Sequence, residues 1–312
     1  MKGLELSKLY YETYGRDMLS TNFSHIENKI AVGLVGEGSE CLGFDDETSI
    51  DHDFEPGFCM FLTDEDEALY GFKLQRLYNS LPKEFNGYRR NLVSPVGGHR
   101  HGVFSISGFY SKYLGYNSSP DTIEKWLYTP SQMFLNVTNG AVFKDELGEF
   151  TKIRSAIALG YPEDIRLKKI AAHAIFAAQS GEYNYNRMIK RNDIGCMQLC
   201  LNEFIKHIIS IVYLLNNKYE PFYKWAYRGL RDLNILNNIE KDLLSFKYSF
   251  NNNNDSIDNS NLIEEISAKV ISEFIKQQIT NATCNNLDTH AYSISDHIKN
   301  NDLRNSSIML GA

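Results

Sequence analysis

The chain has 312 residues, enough for two domains with separate cores. Its composition, 43% hydrophobic and 23% charged, is that of an ordinary soluble globular protein. A net charge of −7 excludes broad electrostatic capture of nucleic acid and leaves room only for a local basic groove.

Apolar residues at Leu6, Leu9, Tyr10, Tyr14 and Met18 fall at helical spacing, which predicts an amphipathic helix over 4–19. Residues 30–35 and 58–62 are short apolar runs and read as buried strands. Over 64–81 a helix is predicted, with Thr63 as N-cap, acids in its first turn and Pro82 beyond its end. A third strand, 103–106, runs into a helix, residues 126–135 read as helical, and 139–150 as a short strand with a turn at 145–148. Strands and helices alternate here, so this half reads as α/β or α+β with a small sheet. After Pro162 the pattern turns helical: 164–179, then 193–216 with Asp193 as N-cap, then a helix beginning near Pro221. Residues 250–261, FNNNNDSIDNSN, predict a loop insertion, because so polar a stretch buries little apolar area. A helix over 262–279 and a polar tail complete the chain.

No 18-residue apolar run and no leader are read from the sequence, so the expectation is a cytoplasmic protein with no membrane partner. Cys41, Cys59, Cys196, Cys200 and Cys284 form no CxxC pair and predict no disulfides. Cys196 and Cys200, four apart on a predicted helix, are expected to pack rather than bind metal.

The chemistry concentrates in residues 30–62. The first apolar run breaks at Gly36-Glu37-Gly38-Ser39, whose backbone N–H groups and one hydroxyl suit a phosphate. Asp51 and Asp53 follow. On a strand, residues two apart share a face, so the two carboxylates would lie side by side, with His52 opposite. A divalent cation relieves their repulsion, and hard cations prefer oxygen ligands. Phosphate cradle and carboxylate pair together are what nucleotidyl transfer requires.

Gly38-Ser39, eleven intervening residues, then Asp51-His52-Asp53 resembles the motif of the DNA polymerase beta-like nucleotidyltransferase superfamily. The stretch GLVGEGSECLGFDDETSIDHDFEPGFCMFL is more closely similar to an uncharacterised bacterial family within it, related to aminoglycoside and lincosamide nucleotidyltransferases. That resemblance continues through RHGVFSISGFY, TNGAVFKDELGEF, PEDIRLKKIAA and LLNNKYEPFYKWAYRGL. It implies an α+β chain: a nucleotidyltransferase fold over 1–155, with a small mixed sheet and helices, then a helical bundle over 156–312 carrying the insertion at 250–261. It implies an enzyme that moves NMP from an NTP to a hydroxyl and releases pyrophosphate. Asp51 and Asp53 would hold Mg²⁺ or Mn²⁺, Gly38 and Ser39 would contact the β- and γ-phosphates, and Lys224 would reach the triphosphate from the bundle. The acceptor is left open among a small molecule, a protein and an RNA end such as that of tRNA, and Arg89-Arg90 and residues 187–191 are local basic patches.

Two departures from the superfamily pattern stand out. The strand expected to carry a third carboxylate, HGVFSIS, has no acid, and His99 or His101 lies near that place. Glu55-Pro56-Gly57 interrupts the chain just after the carboxylate pair, since proline cannot donate to a ladder. A glutamate of the bundle, Glu203, is the candidate general base, set against an exposed helix position. Tyr183, Tyr223 and Trp225 are candidates to stack on a base or sugar, set against packing. Two other readings remain: a non-catalytic nucleotide-binding module of the same fold, and an His-Asp phosphohydrolase built on His52-Asp53.

Overall fold

A computed structural model describes residues 1–51, 54–90, 100–248 and 253–312, the side chains of residues 50, 51, 253 and 254 excepted. The chain is α+β and divides into two units: residues 1–121 with 129–159, and residues 122–128 with 160–312.

The first unit begins with α1 (Gly3–Tyr10), a π-helical turn (Tyr11–Gly15) and α2 (Arg16–Phe23), one helical run longer than the spacing predicts. Strand β1 (Ala31–Leu34) leads into the glycine turn and α3 (Ser39–Leu42). Strand β2 (Cys59–Leu62) leads into α4 (Asp64–Ser80), whose N-cap is Thr63, with its hydroxyl accepting from Asp66 N–H at 3.2 Å. A hairpin, β3 (Glu84–Phe85) and β4 (Tyr88–Arg89), turns on Asn86 and Gly87 at φ 50° and 82°, the positive pair an Asn-Gly turn supplies. Then come β5 (Gly102–Ser105) and α5 (Ile106–Leu114). The chain crosses to the second unit for α6 (Ile123–Tyr128) and returns for α7 (Ser131–Thr138), β6 (Ala141–Lys144) and α8 (Glu149–Ala158). The single helix expected over 126–135 is therefore two. Pro130 separates them, because it restricts the residue before it and starts α7 afresh.

The sheet order is β5-β2-β1-β6, with β1 antiparallel to both neighbours and β5 parallel to β2. Every residue of β1 and β2 is buried, so their runs are continuously apolar rather than alternating. Val32, Met60 and Leu62 pack with Tyr10, Leu19 and Phe23 in one core cluster. Phe61, pointing the other way, stacks on Phe150 with centroids 4.0 Å apart. Gly33 sits at a bulge between β1 and β6, where a Cβ would meet the Ala141 carbonyl oxygen at 2.6 Å.

The helical unit is built on α9 (Glu163–Ala177), which packs against α11 (Ile194–Leu215) and α15 (Leu287–Asp296). Between α9 and α11 lie a π-helical segment (Ala178–Tyr185) and α10 (Asn186–Arg191). Asp193 caps α11, accepting from Cys196 N–H at 3.0 Å. By length and composition α11 could cross a membrane, yet 67% of its apolar window is buried inside the unit. Glu203 and Lys206 interrupt its apolar residues, so no continuous 18-residue apolar run results. The remaining helices are α12 (Tyr223–Leu230), α13 (Ile239–Leu244), α14 (Asn253–Lys276) and α16 (Asn301–Asn305).

Helix α14 corrects the loop expected at 250–261, of which residues 250–252 lie outside the described residues. Residues 253–261 are helical. The polar residues are used inside the unit rather than solvated. Asn259 is 1% exposed; its amide donates to the Lys247 carbonyl at 2.8 Å and its oxygen accepts from Lys247 N–H at 2.9 Å. Asp255 is buried and pairs with Lys247 at 3.0 Å. The tail expected to be merely polar also folds, since Leu287, Ile294, Ile298 and Leu303 are buried. All five cysteines are free thiols.

Candidate functional site

The glycine turn is held from behind. Gly36 N–H donates to Asn139 Oδ1 at 2.9 Å, and Asn139 Nδ2 donates to the Gly36 carbonyl at 2.6 Å. Asn139 precedes β6, and the next residue, Gly140, packs so closely on β1 that a Cβ would lie 2.0 Å from the Leu34 carbonyl oxygen. Arg154, buried enough that its guanidinium titrates below its ordinary range, donates to the carbonyls of Val137 and Gly140. The Asn139 grip was not read from the sequence. Its only local signal was Asn-Gly, which by itself means a turn.

Gly36 and Gly38 have φ of 112° and 122°, a region glycine enters freely. Above Gly38 lies the guanidinium of Arg100, and a Cβ there would fall 2.0 Å from its Nη2. Arg100 Nη2 donates to the Glu37 carbonyl at 2.6 Å and to Glu40, whose carboxylate is also against Gly38. Both partners are largely buried, with side chains 16% and 9% exposed. Arg100 and Lys112 line a small crevice beside the turn together with Tyr113. Arg100 is thus the cation over Gly38, already engaged by Glu40, and Lys112 shares with it the crevice beside Glu37. Gly38→Ala is expected to destabilise the first unit by about 2 kcal/mol, from the disfavoured backbone and the clash with Arg100. Urea unfolding of both proteins measures it.

Ser39 opens α3 and is half-buried. The intervening acids serve local structure. Asp45 accepts from Gly3 N–H at 2.9 Å and pairs with Lys2 at 3.4 Å, which anchors the start of α1. Asp46 accepts from Ser49 N–H at 3.1 Å and nucleates a 3₁₀ turn, Thr48–Asp51. Asp51 therefore closes a turn and does not lie on a strand, as the spacing argument had it; ladder pairing begins only at Cys59. The break at Glu55-Pro56-Gly57 explains the late start. His52, Asp53 and the Asp51 side chain lie outside the described residues, as does His99.

The strand without an acid, β5, has a carboxylate brought to its base. His101, 8% exposed and just before β5, pairs through Nδ1 with Glu55 Oε1 at 3.1 Å, and its ring presses on Gly57. Burial pushes the Cys59 thiol up to about 12 and raises Cys41 as well, so neither is a ready thiolate. Among the described residues no three His, Cys, Asp or Glu side chains are grouped to hold a metal ion.

Two predicted site residues belong to the helical unit. Glu203 does not face inward: its side chain is 56% exposed, 3.7 Å from Lys206 and 3.4 Å from His207. It occupies the solvent edge of α11 between the buried positions Leu201 and Phe204. Lys224 is exposed on α12, with Nζ 5.8 Å from the centroid of the Trp225 ring. Tyr183 and Tyr223 are exposed, the former under the Arg187 guanidinium at 4.1 Å. Of the basic patch at Arg89-Arg90, Arg90 is buried against Tyr78 and Tyr10.

No curated protein matches the sequence. A domain of unknown function (DUF4037) matches residues 126–226, less than half of the chain. Among solved structures the chain is similar to a nucleotidyltransferase-like protein from Exiguobacterium sibiricum 255-15, with 9% identity, 90% of each chain covered and a TM-score of 0.37. A likeness at that level carries no argument for fold or function.

Proposed function

We propose that this protein is a metal-dependent nucleotidyltransferase, moving NMP from an NTP to a hydroxyl acceptor with release of pyrophosphate. The observation that carries the reading is the glycine turn. Both glycines have positive φ, Asn139 clamps Gly36, Arg100 overlies Gly38, and Ser39 follows twelve positions ahead of Asp51. A backbone that admits no side chain, with the Arg100 guanidinium over it, suits the phosphates of a nucleotide. Gly38 N–H and Ser39 would hold the β- and γ-phosphates, and Lys224 is the residue of the helical unit assigned to the triphosphate. Mg²⁺ or Mn²⁺ held by Asp51 and Asp53 would neutralise phosphate charge and acidify the acceptor hydroxyl. Glu55, paired with His101 at the base of β5, is a second candidate beside Glu203 to relay that proton. The rest of the catalysis is positioning and charge stabilisation.

A non-catalytic nucleotide-binding module is the second reading. It is favoured by Glu40, which already occupies Arg100, and by the acid-free β5. Incubation with labelled NTP and Mg²⁺ or Mn²⁺, with protein, RNA and small-molecule pools as acceptors, separates the two. Pyrophosphate release coupled to labelling of one pool is expected. Nucleotide binding without release in any pool would leave the second reading standing.

A further inference from the structure

The helical unit contains a cavity of about 390 Å³. Glu182 and Tyr183 from the π-helical segment, Asp288 and Tyr292 from α15, and Ile308 and Met309 line it. The volume is at the small end of the range for organic ligands.

The backbone of its walls is tethered, while the rings of Tyr183 and Tyr292 stand 54% and 58% exposed. A π-helical turn is rare and recurs at functional sites, and here it presents adjacent residues Glu182 and Tyr183 to the cavity. On the same segment Gly181 packs on Phe204, where a Cβ would lie 2.4 Å from its ring. Glu182 is tied to the opposite wall by Leu287 N–H, which donates to its carboxylate at 3.2 and 3.3 Å. The segment with Ile308 and Met309 is gripped at both ends by buried lysines: Lys168 donates to the Ser306 carbonyl and Lys169 to that of Gly311, each at 3.1 Å.

The lining is electrostatically one-sided. It holds two carboxylates, two phenol rings, the amides of Gln179 and Asn286 and apolar side chains, and no described lining residue is cationic. Arg187 covers the Tyr183 ring without lining the cavity. Glu182 has no ion-pair partner among the described residues; burial raises its carboxyl to about 7, with Asp288 and Glu264 of α14 acting in the same direction and Leu287 N–H and Ser267 against it. Glu182 is partly shielded from water and Asp288 is exposed; a shielded carboxylate ordinarily has a countercharge, and aromatic faces attract cations. Anionic ligands are excluded by the same charges.

We propose that this cavity is a binding site for a small organic ammonium compound, its charged nitrogen at Glu182 and Asp288 and its body against Tyr183, Tyr292 and Met309. The proposal does not depend on the nucleotidyl-transfer reading. Bound ammonium draws Glu182 to its ionised form, so binding near pH 7 releases a fraction of a proton.

Calorimetric titration of the full chain with phenethylammonium and with spermidine, in two buffers of different ionisation enthalpy, tests it. Saturable binding of at least one, with proton release, is expected. Neutral 2-phenylethanol and anionic 3-phenylpropionate should bind at least tenfold more weakly, and Glu182→Gln should weaken the ammonium compound about tenfold. Asp288→Asn, at the rim, should weaken it severalfold and serves if the first variant does not fold. The proposal is overturned if neither ammonium compound binds, if the alcohol or the acid binds as well, or if both folded variants bind like the wild type.

Discussion

Asp53→Asn should reduce nucleotidyl transfer by about 10³-fold or more while leaving the melting temperature within about 2 °C of the wild type. Asparagine keeps the shape and removes one negative charge from a pair whose proposed task is to hold a dication against a triphosphate. A thousandfold loss corresponds to about 4 kcal/mol of transition-state stabilisation, the scale expected when charge neutralisation at a transferring phosphoryl group is lost. Asp51→Asn should behave alike, since neither role can be taken over by Asp45 or Asp46, which are bound to Gly3 and Ser49. Ser39→Ala, which removes a single hydrogen bond, should cost only about tenfold. Pyrophosphate release by purified variants, with thermal melts as the control for folding, gives all three numbers. Transfer undiminished in Asp53→Asn would remove the metal site from the proposal. A graded loss confined to Ser39→Ala would keep the turn and reassign the carboxylates.

What could be read from sequence was whatever is decided locally. Residues 30–35 and 58–62 announced strands because both faces of β1 and β2 are covered, which leaves no polar position to break the run. Thr63 and Asp193 were legible as N-caps because a cap bonds only two or three residues ahead. The grip of Asn139 on Gly36 spans 103 residues, and the contact of Arg100 with Glu40 spans 60. No local pattern encodes such pairings, so the parts that shape the candidate site were invisible. The misreading at 250–261 has a different cause. Composition measures solvation, but Asn259 has its amide satisfied inside the unit by Lys247 and Tyr185, which removes the usual penalty for burying it. The strand expected to carry Asp51 failed for a related reason: alternation describes where side chains would point on a strand, and Asp46 with Ser49 had already committed the chain to a turn.

Acidification from pH 7.5 to 4 should cost wild-type protein about 3 kcal/mol more stability than it costs His207→Gln. His173 on α9 and His207 on α11 meet Nδ1 to Nδ1 at 2.8 Å, a hydrogen bond that needs one ring to donate and the other to be unprotonated at that nitrogen. His207 is 5% exposed and stacks on Phe176 with centroids 5.0 Å apart. Burial is the main force lowering His207 to about 4, with Lys206 acting in the same direction and Glu203 against it. Burial also holds His173 well below its ordinary range, aided by His207, Lys169 and Lys206. A histidine whose folded value is depressed contributes its stability above the unfolded value of about 6.5 and loses it as pH falls toward the folded one. The gap between 6.5 and about 4 is worth about 3 kcal/mol. The raw profile will not display this alone, because Glu182, raised to about 7 in the same unit, gains stability on acidification. Subtracting the two proteins cancels Glu182 and leaves the titration of the histidine pair, in which His207 is the larger change because glutamine can still bond His173 but cannot titrate. Urea unfolding at half-unit pH steps should show the wild-type advantage shrinking between pH 6.5 and 4. A difference that stays constant over that window would mean that His207 is protonated alike in folded and unfolded chains, and that the ring pair only packs.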